Sequence, residues 1–391
     1  MTILFKNARV ILEDRVISGG LLVKGEKIAE IYEGELPSIE ADEVVDCEGR
    51  YLSPGFIDLH VHGGDGGYFM SGEREQIAAT CALHLKHGTT TMTPTISAAP
   101  KSVIIKSFTG ITEYEKTETV RPDFIGLYLE GPYLAPAACG AIPADYIRNP
   151  DREEYLDLLE RFPRIVRWGL APELDGAIEM IRELTKRGIR TSIAHTEAFF
   201  EDALKAKEAG LDSITHFYSL TPTVRRINAY RHSGVIEFGY LYDDVFVEVI
   251  ADGKHLPKSL LQLIYKVKGA DRIMLVTDGI SASGLEADDG KQYYSQMGKP
   301  IVVEDGVAKV PSREAFAGSI ATTDRLVRTM VQLAEVPIWE AVKMASATPA
   351  RYFNIFDKKG SIAKGKQADL VIFNDDVRVS RVYVGGRCLV R

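Results

Sequence analysis

The residues of this chain best suited to chemistry are its histidines, eight in all, and a few carboxylates that close apolar runs. His60 and His62 stand two apart in FIDLHVH, so on an extended strand both imidazoles point to one side. Two neutral imidazoles side by side can ligate a divalent transition metal; a hydrogen-bonded structural pair is the bland alternative. Glu130 ends the run LYLE, where an unpaired buried carboxylate is costly and a cation is a better partner than water. His195 in IAHT, His216 in ITHF, Asp278 in LVTDG and His255 after FVEVIAD complete the set. For Asp278 the competing role is that of a helix N-cap. Imidazole and carboxylate donors together suit zinc, iron or manganese. His84 and His87 fall on a helical stretch and read as packing or surface residues; His232 is left without a role.

These residues can cooperate only if the fold brings them together. Eight β-rich runs alternate with helical stretches: FIDLHVH, TTMTPTI, FIGLYLEG, IVRWGLAPE, RTSIAHT, SITHFYS, FVEVIAD and IMLVTDG. That rhythm predicts a closed parallel (β/α)8 barrel over residues 53–358, whose active site lies at the C-terminal ends of its strands. An open doubly wound sheet is the competitor, but no GxGxxG turn follows any of the runs. Residues 284–318 read as an insertion with a hairpin turning at Asp305-Gly306, and helices near 325–333 and 339–346 close the barrel. Residues 1–52 and 359–391 are strand-like and too short to bury a core separately. They are expected to pair into one small β-sandwich formed by both termini, with antiparallel strands in the N-terminal part.

Composition narrows the class. With 391 residues, 45% hydrophobic and 26% charged, the chain has ample material for a large core. A net charge of −8 argues against nucleic acid as a partner, and no apolar run is long enough to cross a membrane. The N-terminus lacks the shape of a signal peptide, and four cysteines without CxxC spacing read as free thiols, so a cytoplasmic enzyme is expected.

With those residues in place, the sequence resembles the amidohydrolase superfamily, and within it the N-acetylglucosamine-6-phosphate deacetylases. PGFIDLHVHGG and GKQADLV carry the broader likeness, and LEGPYL, IADGKH and VTDGISASGL the narrower one. The resemblance implies a divalent metal, one or two ions per subunit with zinc foremost. Glu130, His195 and His216 would hold the principal ion, and His60 and His62 a second. Asp278 would be the acid/base and His255 a substrate contact. Ala317 and Gly318 match a backbone contact to the sugar. Many superfamily members bridge two metals with a carboxylated lysine on strand four; VRWGLAPE has none, and Glu130 would take that place.

The pocket departs from the family pattern. Cys139-Gly140-Ala141-Ile142 stands where relatives show a Lys-Gly-Ala-His-like segment, and Ser219-Leu220-Thr221 where they show Asn-Ala-Met. Ala141, Ile142, Ser219 and Leu220 therefore line an altered sugar-phosphate pocket, with Arg225 or Arg226 at the phosphate, Arg226 being the leading candidate. The resemblance also implies a homodimer with the arginine loop serving the neighbour's site. The function implied is deacetylation of N-acetylglucosamine 6-phosphate by metal-activated water. The same chemistry on N-acetylgalactosamine 6-phosphate, an unphosphorylated N-acyl sugar or a cyclic amide is the alternative, and an inactive sugar-sensing barrel is the remote one.

Overall fold

The computed structural model describes residues 1–284 and 293–391, so residues 285–292 of the insertion lie outside the described part. Eight short parallel strands occupy the expected runs. They are Phe56–Val61, Thr89–Ser97, Leu127–Glu130, Ile165–Leu170, Arg190–Ile193, Ser213–Ile214, Phe246–Val249 and Ile273–Leu275. Each pairs in parallel with the next. The seam between the eighth and first strands is stitched just past the strand ends, where Asp278 N donates to His60 O at 2.8 Å and His62 N to Gly279 O at 2.9 Å. Asp58, fully buried at this seam, accepts from Thr277 Oγ1 at 2.6 Å. The ring is a (β/α)8 barrel.

The helices form because one stripe of each is apolar. Ala177–Lys186, after the fourth strand, buries Ala177, Met180, Ile181 and Leu184, positions one turn apart on one face. Thr323–Gln332 buries Leu326, Val327 and Met330 in the same way, and Ile338–Met344 follows as expected. A further short helix, Ala347–Tyr352, was not foreseen. Its Tyr352 is buried beneath the barrel with Ile57, Leu59, Met274 and Val276.

The expected hairpin is present. Strands Pro300–Glu304 and Val307–Lys309 pair antiparallel around Asp305-Gly306. Both turn residues have positive φ, 54° and 74°, as a two-residue turn of this twist requires. Ile301, Val303 and Ala308 pack on Ile280, Ala317 and Ile320, so the insertion is anchored over the loop that follows Asp278.

Both termini build one eight-stranded sheet. It curls round a core of its own, with Phe5, Val10, Leu21, Leu52, Leu370 and Tyr383 inside. Tyr51–Pro54 pairs antiparallel with Leu370–Phe373, which joins the two ends of the chain. One expectation fails here. Glu43–Asp46 and Tyr51–Pro54 run parallel, not antiparallel, to the first strand, Thr2–Ile11. After the third strand, Lys27–Glu33, the chain crosses back before re-entering the sheet, so it meets the free edge of the first strand in the same direction. Among the described residues, no helix is long and apolar enough to cross a membrane.

Candidate metal centre

The barrel gathers every expected donor at its C-terminal mouth. His60 lies within the first strand and His62 just past it, so their shared side faces the axis. Glu130 is the last residue of the third strand. His195 and His216 fall two residues beyond the fifth and sixth strands, and Asp278 three beyond the eighth. Their backbones turn sharply there: φ is 46° at His195, 27° at His216 and 46° at Asp278. Left-handed backbone at bulky residues is strained and marks places where the surroundings fix a functional geometry.

Two nests result, and Glu130 is common to both. Its Oε2 lies 3.3 Å from His62 Nε2 and 3.6 Å from His60 Nε2. Its Oε1 lies 3.0 Å from His216 Nε2 and 3.3 Å from His195 Nε2. Asp278 Oδ1 stands over the first nest, 3.2 Å from His62 Nε2 and 3.5 Å from His60 Nε2. All six residues are buried or nearly so.

The donor set fits a cation. Each imidazole spends its outer nitrogen on an acceptor. His60 Nδ1 meets Glu248 Oε2 at 3.0 Å, His62 Nδ1 meets Thr95 O at 3.3 Å, His195 Nδ1 meets Ala138 O at 2.9 Å and His216 Nδ1 meets Ser219 O at 3.0 Å. Those acceptors place the proton on Nδ1 and leave a lone pair on every Nε2. Within each nest the Nε2 atoms then face one another, at 3.1 Å in the first and 3.3 Å in the second. Two lone pairs at that distance repel unless a positive charge lies between them. Burial would raise the Glu130 carboxyl, but the surrounding histidines, when protonated in place of a bound cation, outweigh it and hold Glu130 well below its ordinary value. Asp278 is lowered against burial in the same way by His60 and His62.

Sequence reading missed the layer beneath. Glu248, in the middle of the seventh strand, is fully buried. It accepts from Arg167 of the fourth strand and meets His60 Nδ1. Burial alone would raise its carboxyl; Arg167 and His60 bring it down to about 2. The inward charge of strand four is thus an arginine, and no lysine stands there. Asp252 was also missed as a support. It accepts from His255 Nδ1 at 2.8 Å and from two backbone amides at 2.8 Å, fixing the His255 ring.

A cavity of about 340 Å³ opens above the nests. Ala141, Ile142, Ser219, Leu220, His255, Ala317 and Gly318 all line it. Tyr68, Met297, Glu314 and Phe316 also line it, Phe316 packing its ring 4.5 Å from that of His255. Arg226 does not. It sits on an exposed hairpin, Arg225–Ile227 with Tyr230–His232, beside an Arg225 that pairs with Glu197 and lies over the Phe199 ring. No lysine or arginine lines the cavity among the described residues. Of the histidines given no role, His84 is buried against Gly63 O, His87 meets Asp324 at 3.1 Å, and His232 is exposed on the hairpin.

A closed parallel barrel carrying a carboxylate shared between two histidine nests at its C-terminal mouth defines a barrel hydrolase that binds divalent metal. The amidohydrolase family pattern matches residues 51–389. The N-acetylgalactosamine-6-phosphate deacetylase of Escherichia coli O157:H7 is 30% identical, over 91% of this chain and 93% of that protein. The human N-acetylglucosamine-6-phosphate deacetylase is 32% identical, over 98% and 93%. A crystallised mutant of the Mycobacterium smegmatis N-acetyl-D-glucosamine-6-phosphate deacetylase, in complex with N-acetyl-D-glucosamine-6-phosphate, superposes with a TM-score of 0.90 at 27% identity, covering all of both chains. The chain belongs to the amidohydrolase family, on its N-acetylhexosamine-6-phosphate deacetylase branch, and is a hydrolase of an amide C–N bond.

Proposed function

We propose that this enzyme removes the acetyl group from an N-acetylhexosamine 6-phosphate, N-acetylglucosamine 6-phosphate foremost, with Asp278 as its acid and base. The observation that carries this reading is the position of Asp278 Oδ1, 3.2 Å from His62 Nε2 and open to the cavity above. A divalent ion held by Glu130, His195 and His216, with or without a second at His60 and His62, supplies activation of water and polarisation of the acetyl carbonyl. Zinc is the first candidate, iron and manganese the others.

Asp278 takes a proton from the attacking water, whose oxygen adds to the acetyl carbon. It then returns that proton to the amine nitrogen as the C–N bond breaks, so acetate and the free amino sugar leave. Asp252 holds His255 by Nδ1 and leaves its other edge to orient the acetyl group. The backbone at Ala317 and Gly318 meets the sugar. The phosphate is met by Arg226 of a neighbouring subunit in a homodimer. Two features support this. The cavity wall of the same chain carries no cation among the described residues. The hairpin also leaves Ile227 41% and Tyr230 75% exposed, as a docking arm does. Residues 53–358 are then the catalytic unit, with both termini forming its companion domain, and the setting is the cytoplasm.

A second reading rests on the same cavity, since Glu314 and apolar side chains line it. It keeps the chemistry and takes the galactosamine epimer, an unphosphorylated sugar or a cyclic amide. Acetate release by the zinc-loaded protein from N-acetylglucosamine 6-phosphate, its galactosamine epimer and the unphosphorylated sugar decides between them. Turnover of a phosphorylated sugar that needs Arg226, with KM rising roughly tenfold or more in Arg226→Ala, is expected. Equal or better turnover of the unphosphorylated sugar overturns the first reading.

A further inference from the structure

The barrel interior directly beneath the nests carries a second polar layer, and one residue in it touches both. Glu248 Oε2 meets His60 Nδ1 at 3.0 Å and also accepts from the backbone N–H of His216 at 3.1 Å. Its other oxygen accepts from Arg167, whose guanidinium lies over the Tyr128 ring at 4.6 Å and the Tyr352 ring at 5.4 Å, with Ser213 Oγ at 3.5 Å. Glu248, Arg167 and His60 are all fully buried. A carboxylate this deep needs a strong partner, and Arg167 gives it one; but Arg167 occupies only one oxygen.

We infer that Glu248 is a positioning residue that builds the His60–His62 half of the metal centre, by holding the His60 imidazole with its proton on Nδ1 and its lone pair aimed at Glu130. A carboxylate at the far nitrogen of a metal-binding histidine fixes the ring and raises its basicity as a ligand. His62 has only the carbonyl of Thr95 in that place, at 3.3 Å, so the charged support of this nest comes through His60 alone. The contact to His216 is through the backbone, so Glu248 sets the spacing of the second nest without tuning its ligand. Arg167 keeps Glu248 ionised and fixed on its far side.

This inference rests on the reading above that two ions can bind, and the test separates the two. Zinc(II) is titrated into the full-length apoprotein against a chromophoric chelator, and bound zinc is counted by elemental analysis, for the native chain, for Glu248→Gln and for the paired change Arg167→Met with Glu248→Gln. The paired change leaves no unbalanced charge in the barrel, so it tolerates the loss that the single change does not. The expected result is a native chain with two sites, and variants whose weaker site loses roughly 10–100-fold in affinity while the tighter one changes little. In the native zinc protein, ¹H–¹⁵N spectra of labelled histidine should show a His60 Nδ1–H signal, assigned by its absence in His60→Asn; this readout does not require the Glu248 and Arg167 variants to fold. Unchanged affinity at both sites, equal loss at both, or a His60 proton on Nε2 overturns the inference. A native chain that binds one ion removes its premise and leaves the deacetylase reading standing.

Discussion

The two nests share Glu130, yet they are held by different means. The His60–His62 nest sits at the end of a regular strand, His60 within it and His62 one residue past it, and its decisive support is a charged side chain, Glu248, backed by Arg167. The His195–His216 nest sits past the strand ends on left-handed backbone, and its supports are carbonyls of loops, Ala138 O and Ser219 O. One is built on electrostatics inside a rigid barrel, the other on backbone shape at its rim. A site of the first kind responds to changes of charge far below it. A site of the second kind responds to the loops, which are also the loops that line the substrate cavity.

The largest effect should come from the residue that erases the contrast. Glu130→Gln removes the charge both nests face, so both lose metal together; elemental analysis showing one ion retained would make the nests independent. Asp278→Asn should lower turnover by roughly 10²–10⁴-fold while both nests keep their metal, as expected for loss of a general acid and base. Initial rates paired with metal counts check this, and substantial residual rate would remove Asp278 from that role.

His60→Asn and His195→Asn then divide the nests. The first should empty one nest and leave the Glu130–His195–His216 ion in place, with a smaller loss of rate than in Asp278→Asn. The second should lose the principal ion and most of the activity. Equal metal loss in the two variants would merge the nests into one cooperative site.

The smallest effect at neutral pH concerns His84, which braces Gly63 O just past His62 at 3.0 Å. Burial lowers this ring to about 4, from 6.5 in the unfolded chain. Its contribution is therefore complete above pH 6.5. Below that the unfolded chain takes up a proton which the fold refuses, so stability falls between pH 6.5 and about 4 by on the order of 3 kcal/mol. Urea unfolding across that window should show the slope in the native chain and a flatter one in His84→Gln.

The inward donors are legible because each ends or follows an apolar run, a place where barrels put their chemistry. Glu248 and Arg167 are not legible in the same way. A strand buried on both faces reads as one continuous apolar run, so the lone charge in FVEV or IVRWGL gives no sign of which face it takes. Nor does it name a partner 81 residues away. The parallel pairing of Glu43–Asp46 is hidden for a similar reason: strand pattern gives the alternation but not the direction of the neighbour. The hairpin carrying Arg226 escaped because its strands are three residues each and exposed, with no buried face to impose a pattern.

The sheet shared by the two ends of the chain sets an order on biosynthesis. Tyr51–Pro54 finds its partner in Leu370–Phe373, more than three hundred residues later. At ribosomal rates of roughly 5–20 residues per second, its edge stays open for about 15–60 s while the whole barrel is made. An unpaired apolar edge invites pairing with other chains. The nascent protein therefore depends on the barrel closing in good time, and on whatever shields that edge until the last strands emerge.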